Sequence, residues 1–185
     1  MKLTSVASIR SAFLVVALCS VAGCGGRVIT DPSTDFARAK PLFAAIAKAD
    51  TLVLYEGLPH EGNEKASYEA EKRDEPTVEF YGFLFYRDPI EVSDADADRL
   101  KLVFGKEQSF QPWSGHKKCG GFHPDYLAEW RVGDATYRVL ICLGCNEVKV
   151  YGPDRFAHCD MKGVSVALGG WLGAHRKNRP AARQE

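Results

Sequence analysis

Asp125-Tyr-Leu-Ala-Glu-Trp-Arg-Val-Gly-Asp-Ala-Thr-Tyr-Arg-Val-Leu-Ile-Cys142 holds two runs rich in β-branched and aromatic residues, separated by Gly133-Asp134. Strand-prone runs flanking a two-residue turn signal predict a β-hairpin. If the turn is two residues long, Val132 faces Ala135, Trp130 faces Tyr137, Glu129 faces Arg138 and Leu127 faces Leu140. That register puts an aromatic pair on one face and an opposite-charge pair on the other, the kind of cross-strand pairing that stabilises a sheet. Glu147–Tyr151 reads as a third strand ending at Gly152-Pro153, and Arg155–Asp160 as an edge strand.

Upstream, Thr51–Tyr55 reads as a short buried strand and Thr77–Tyr86 as one further strand. Leu42, Phe43 and Ile46 recur at helical spacing, with Pro41 near the start of that helix or kinking it. Ser93 sits at an N-cap, with Asp94 and Asp96 in the first turn and Leu100, Val103 and Phe104 as the apolar stripe ending at Gly105. Val164, Leu168, Trp171 and Leu172 mark a last helix, weakened by Gly169-Gly170 at about 1 kcal/mol per glycine. Residues 61–75 are charge-dense and read as solvated surface, either an exposed helix or a loop. The sum is an α+β domain, a small antiparallel sheet with about three helices packed on it.

The first residues carry an address. Lys2 and Arg10 precede the apolar run Ala12–Cys19, and small residues lead to Cys24. The run is far shorter than the roughly 20 residues of a membrane-spanning helix, so residues 1–23 read as a signal peptide. Val21-Ala22-Gly23-Cys24 resembles the lipobox of bacterial lipoproteins. That resemblance implies cleavage before Cys24, lipidation of its thiol by diacylglycerol, with palmitate as a typical acyl chain, and attachment to a membrane through that lipid. Gly25, in place of the aspartate that favours inner-membrane retention, points to the outer membrane. Residues 24–35 then form the lipidated cysteine and a flexible tether, 36–177 a single domain and 178–185 a polar tail that frays.

Cleavage removes two basic residues and leaves 22 Lys plus Arg against 24 Asp plus Glu over 162 residues. A net charge near minus two gives no electrostatic basis for binding nucleic acid. A chain of that length buries a core without needing staples.

The remaining chemistry is concentrated in Cys119, Cys142, Cys145 and Cys159. Four thiols in an oxidising compartment predict disulfides first, with three connectivities open. The hairpin register brings the Cys119–His123 loop close to Cys142 and Cys145. The same geometry also suits a structural zinc site of Cys119, His123, Cys142 and Cys145, with His158 or Cys159 as substitute ligands; otherwise no cofactor is expected. A thiol-exchange role for Cys142-Leu-Gly-Cys145 is disfavoured, because a strand rather than a helix follows it. Cys119, His123 and Asp125 have the residue types of a hydrolytic triad, but nearness in sequence does not assemble one, so an enzyme is not the expectation. His60 and His116 read as surface or turn residues, and Trp113, Phe122, Tyr126 and Trp130 as packing.

The combination Leu54-Tyr-Glu-Gly-Leu-Pro-His60, Lys117-Lys-Cys-Gly-Gly-Phe-His-Pro-Asp-Tyr126 and Ile141-Cys-Leu-Gly-Cys145 resembles a family of bacterial proteins, many with lipoprotein signals. The family has no established activity, so the resemblance implies an envelope protein and transfers no catalytic or binding residue.

Overall fold

The structure is a computed structural model that describes residues 32–115 and 121–179. The expectations for the signal peptide, Cys24, His116, Cys119 and the last six residues fall outside them. In chain order the described elements are α1 (Pro32–Ile46), β1 (Thr51–Glu56), α2 (Lys65–Asp74), β2 (Thr77–Phe80), β3 (Phe83–Tyr86), α3 (Asp94–Phe104), β4 (Phe110–Pro112), β5 (Tyr126–Val132), β6 (Ala135–Cys142), β7 (Glu147–Tyr151), β8 (Phe156–Met161) and α4 (Ser165–Ala174). The fold is α+β and richer in strands than the sequence predicts. One antiparallel sheet has six strands in the order β1-β5-β6-β7-β8-β4, and β2–β3 form a separate hairpin.

The β5–β6 hairpin has the register read from its turn, with Val132 on Ala135, Trp130 on Tyr137, Glu129 on Arg138 and Leu127 on Leu140. Arg138 Nε donates to Glu129 Oε2 at 2.7 Å. Because side chains alternate across a strand, this register divides the residues between two faces. Leu54, Ala128, Trp130, Val139, Ile141, Val148 and Val150 pack against Leu42, Phe43 and Ile46 of α1, Leu100 and Phe104 of α3, and Leu168 and Leu172 of α4. Each large side chain fully buried there contributes about 1.5–3 kcal/mol of transfer free energy. Leu127, Leu140, Cys142 and Cys145 belong to a second, smaller core on the opposite face, beneath β2 and β3.

That second layer corrects the reading of Thr77–Tyr86 as one strand. Tyr81 and Gly82 both have positive φ, 55° and 82°, and turn the chain back on itself. Two consecutive left-handed residues make the tight turn that matches strand twist. The tyrosine ring hid the turn from a reading based on β-propensity. Its ring stacks on Tyr151 of β7 at 3.6 Å, so the hairpin tip is fastened to the sheet.

The other departures are local. The first helix begins at Pro32, so residues 32–35, assigned to the tether, are helical, and Pro41 lies inside the helix rather than near its start. The charged run contains α2, in which no residue is buried. Its Glu71 carboxylate accepts a hydrogen bond from the Tyr86 hydroxyl. β8 is not the edge, because β4 pairs with it through Phe110–Met161. Ser93 caps α3 as expected, its Oγ accepting from the Asp96 N–H at 3.2 Å.

Gly57 continues β1 alongside the segment before β5, its N–H donating to Asp125 O at 2.8 Å. A Cβ at position 57 would lie 2.1 Å from the carbonyl oxygen of Pro124. Gly57→Ala should therefore destabilise the domain by about 1–3 kcal/mol or more through backbone displacement. Urea unfolding of the two proteins checks this; equal midpoints would show that the two segments are not held so closely.

Candidate functional site

The three sequence motifs meet at one end of the sheet. Glu56 ends β1 on the helix-covered face, yet it is a carboxylate with no exposed surface. Burial of a charge is costly unless hydrogen bonds compensate it. Glu56 accepts from the backbone N–H groups of Lys177, Asn178 and Arg179 at 3.1, 2.7 and 3.2 Å. Arg176 Nε lies 3.6 Å from its Oε1. The segment after α4, expected to fray, is thus tied down as far as Arg179. The guanidinium of Arg179 then reaches Glu64 at 2.6 Å and Asp125 at 3.3 Å.

His60 and His123 face each other beside this cluster, with ring centroids 4.7 Å apart. His123 Nε2 lies 2.9 Å from the carbonyl oxygen of Leu58. A carbonyl only accepts, so that nitrogen carries the proton and Nδ1 the lone pair. His60 has the opposite arrangement of partners: its Nδ1 accepts from the N–H groups of Gly62 and Asn63 at 3.0 and 3.2 Å. Burial holds the His123 imidazole below the ordinary histidine range, with His60 and Arg179 pushing the same way and Asp125 opposing. The Glu64 carboxylate is raised by burial, but the N–H of His60 and the charge of Arg179 outweigh this and hold it low.

Cys142 ends β6, and its Sγ accepts the N–H of Cys145 at 3.2 Å and the N–H of His123. Burial pushes this thiol up to about 11, against the pull of those two bonds. Asn146, with φ of 60°, completes the turn into β7. The sulfur of Cys145 lies 3.1 Å from the carbonyl oxygen of Gly121. Cys159 belongs to the helix-covered core, whereas Cys142 and Cys145 belong to the core beneath the hairpin. The sheet therefore separates Cys159 from the other two, and a bridge from it to either is not a choice the geometry supports.

The expected neighbours divide accordingly. His123, Cys142 and Cys145 come together, while Cys119 lies outside the described residues. Among the described residues no group of three His, Cys, Asp or Glu side chains is placed to hold a metal ion. The Asp125 carboxylate is used by the Leu143 N–H at 2.8 Å and by Arg179, not as the orienting partner of a catalytic histidine. His158, the substitute zinc ligand, is instead bound through Nε2 to Glu147 at 2.9 Å and stacks under Trp113 at 4.5 Å. Sequence reasoning missed His60 and Glu56. The available signal was strand alternation, which puts Glu56 on the same face as Leu52 and Leu54 and so requires a buried partner.

No family model, no curated protein and no solved structure matches this chain.

The lowered His123 value has a consequence for stability. Below about 6.5 the unfolded chain takes up a proton that the folded ring resists, so stability is full above that pH and falls as the solution is acidified. In His123→Gln this part of the loss should disappear. Urea midpoints at pH 7.5 and 5.5 test it: the wild type should drop further than the variant, and equal drops would contradict the buried neutral ring.

Proposed function

We propose that the chain is a lipid-anchored, non-enzymatic lipoprotein of the bacterial envelope, exported and held by Cys24 at the outer membrane. Its domain is stiffened by a cysteine cluster and serves binding or architecture rather than turnover. The address rests on the lipobox at Val21–Cys24. Among the described residues no helix is long and apolar enough to cross a membrane.

The observation that carries the domain's role is how the three motifs spend their polar groups. Glu56 clamps the segment after α4, His123 Nε2 is engaged by Leu58 O, and Asp125 is shared between Leu143 and Arg179. These groups hold loops together, which leaves His123 and Asp125 poorly placed as base and orienter for a nucleophile. The proposed staple is a Cys119–Cys145 disulfide. It is supported by the position of the Cys145 sulfur against Gly121, two residues beyond Cys119 in sequence. A bridge there would join the loop before β5 to the β6–β7 turn, across the strand ends.

A second reading, a closed zinc site of Cys119, His123, Cys142 and Cys145, is favoured by one feature. Two backbone N–H groups point at the Cys142 sulfur, an arrangement that also suits a metal-bound thiolate. His123 would then contribute only Nδ1.

The test uses the full-length chain expressed with its own signal in a bacterium that processes lipoproteins. The protein should partition into detergent, and Cys24→Ser should leave it in the aqueous phase. Peptide mapping without reductant should recover residues 119 and 145 in one disulfide-linked pair, with the mass of the domain two hydrogens below the fully reduced value. Aqueous partitioning of the wild type would overturn the anchor. Native mass with one bound zinc and four intact thiols would replace the disulfide by the metal site.

A further inference from the structure

The helix layer ends in an apolar recess. The chain after α1 meets the end of α3 so closely that a Cβ on Gly105 would lie 2.8 Å from the Cβ of Ala47. At this junction is a recess of about 350 Å³ lined by Ala47, Asp98, Lys101, Leu102, Gly105 and Lys106. Leu102 leaves 60% of its surface exposed there. A single exposed leucine is ordinary, but this one adjoins a wall that is mostly apolar although half of its residues are charged. Lys101 and Lys106 therefore line the recess with their methylene stems and carry their ammonium groups to its rim.

The rim is positive. Lys48 follows Ala47. The Lys162 N–H donates to Ser109 O at 2.8 Å, and the Ser109 N–H donates to Lys106 O at 3.1 Å, so the backbone brings Lys162 beside Lys106. The carboxylates at this end are Asp50, Asp98 and Glu107. Asp98 pairs with Lys101 at 3.3 Å and Glu107 with Lys40 at 3.0 Å. Farther along α3, Asp96 is shared by Arg99, Trp171 and His175, and Asp94 lies about 12 Å away at the start of the helix. Lys48, Lys106 and Lys162 thus face one remaining carboxylate, Asp50, which accepts from the Gly133 N–H at 3.4 Å. An apolar basin rimmed by ammonium groups suits an anionic lipid interface, with apolar surface below the phosphates and cations among them. A second copy of the chain would bring the same lysines and be repelled.

We propose that this end of the helix layer docks on the anionic phospholipid surface of the membrane that holds Cys24, with Leu102 at the acyl boundary and Lys48, Lys106 and Lys162 on lipid phosphates. The docking rests on the lipid anchor proposed above. The anchor's length permits it. Eight residues, 24–31, precede Pro32 and reach about 28 Å when extended, whereas the 15 residues of α1 span about 22 Å. The C-terminal end of α1 can therefore touch the bilayer while the tether returns from Pro32. Tethering also raises the effective concentration of lipid, so a weak docking surface suffices.

The experiment reconstitutes the full lipidated chain into phosphatidylcholine vesicles with and without phosphatidylglycerol, part of the phosphatidylcholine carrying bromine in its acyl chains. Bromine quenches tryptophan that enters the bilayer. Leu102→Trp alters an exposed side chain, and its fluorescence above the wild-type background should be quenched at least twofold in vesicles containing phosphatidylglycerol. Tyr81→Trp, at the tip of the β2–β3 hairpin, should not respond, which separates docking from random collision of a tethered domain. Combining Lys48→Glu and Lys106→Glu with Leu102→Trp should at least halve the quenching, as should omitting phosphatidylglycerol. Wild type that fails to float with the vesicles would overturn the anchor and the docking with it. Protein that floats without quenching at Leu102→Trp, or with equal quenching at Tyr81→Trp, would overturn the docking alone. Shielding of Leu102→Trp from aqueous acrylamide without quenching by brominated lipid would assign the surface to a second copy and also overturn the docking.

Discussion

The buried carboxylate of Glu56 is the constraint on which the motif end of the molecule depends. It occupies an inward position at the end of β1, where Leu52 and Leu54 precede it on the same face, and it has no exposed surface. An isolated carboxylate there would be strongly destabilising; three backbone N–H groups at 2.7–3.2 Å and the nearby Arg176 make it tolerable. The requirement works in both directions. Glu56 needs the chain after α4, and that chain is polar enough that without Glu56 it would have little to hold it.

Once residues 177–179 are fastened, Arg179 is delivered to two carboxylates from different parts of the sequence, Glu64 before α2 and Asp125 before β5. Asp125 also accepts from Leu143 in the β6–β7 turn. The cysteine turn, the loop carrying His123 and the loop carrying His60 therefore share one charged hub. The smaller core beneath the hairpin covers this hub on one side: Phe83 meets Phe122 edge-on at 5.7 Å, and Lys149 lies over the Phe122 ring at 4.2 Å. The network is buried at Arg179 and open to solvent at Glu64, so the cost of a lost partner falls mainly on Arg179 and Asp125.

What was legible in the sequence followed the range of the interactions. The β5–β6 register was legible because a two-residue turn fixes it locally, and the Ser93 cap because it involves neighbours three residues apart. The β2–β3 turn was not, because Tyr81 is an uncommon residue for a left-handed position and its ring is fixed by Tyr151, seventy residues away. β4 escaped because it is three residues long and contains Pro112, which suits an edge strand but gives no periodicity. The Glu56 clamp spans more than 120 residues, and no local pattern reports such a contact. For the same reason the site was half visible: the grouping of His123, Cys142 and Cys145 follows from the hairpin register, whereas His60 enters only through tertiary packing.

α4 shows how the long-range contacts also decide whether a weak element forms. Gly169, Gly170 and Gly173 each lower its helical propensity by about 1 kcal/mol, and no side chain caps its first turn. Tertiary contacts hold it instead. The Tyr126 hydroxyl donates to Leu172 O at 3.0 Å, and Trp171 Nε1 donates to Asp96 at 3.0 Å. His175 adds a contact to the same carboxylate at 3.4 Å. Asp96 is held below the usual carboxylate range by the Ser93 hydroxyl first and then by Trp171, so it stays an acceptor for both helices. The cap of α3 thus positions α4, the end of α4 presents residues 177–179 to Glu56, and Arg179 reaches Glu64 and Asp125 beside the two histidines. The two histidines are in this sense linked to the cap of α3 through contacts that each join one local motif to the next.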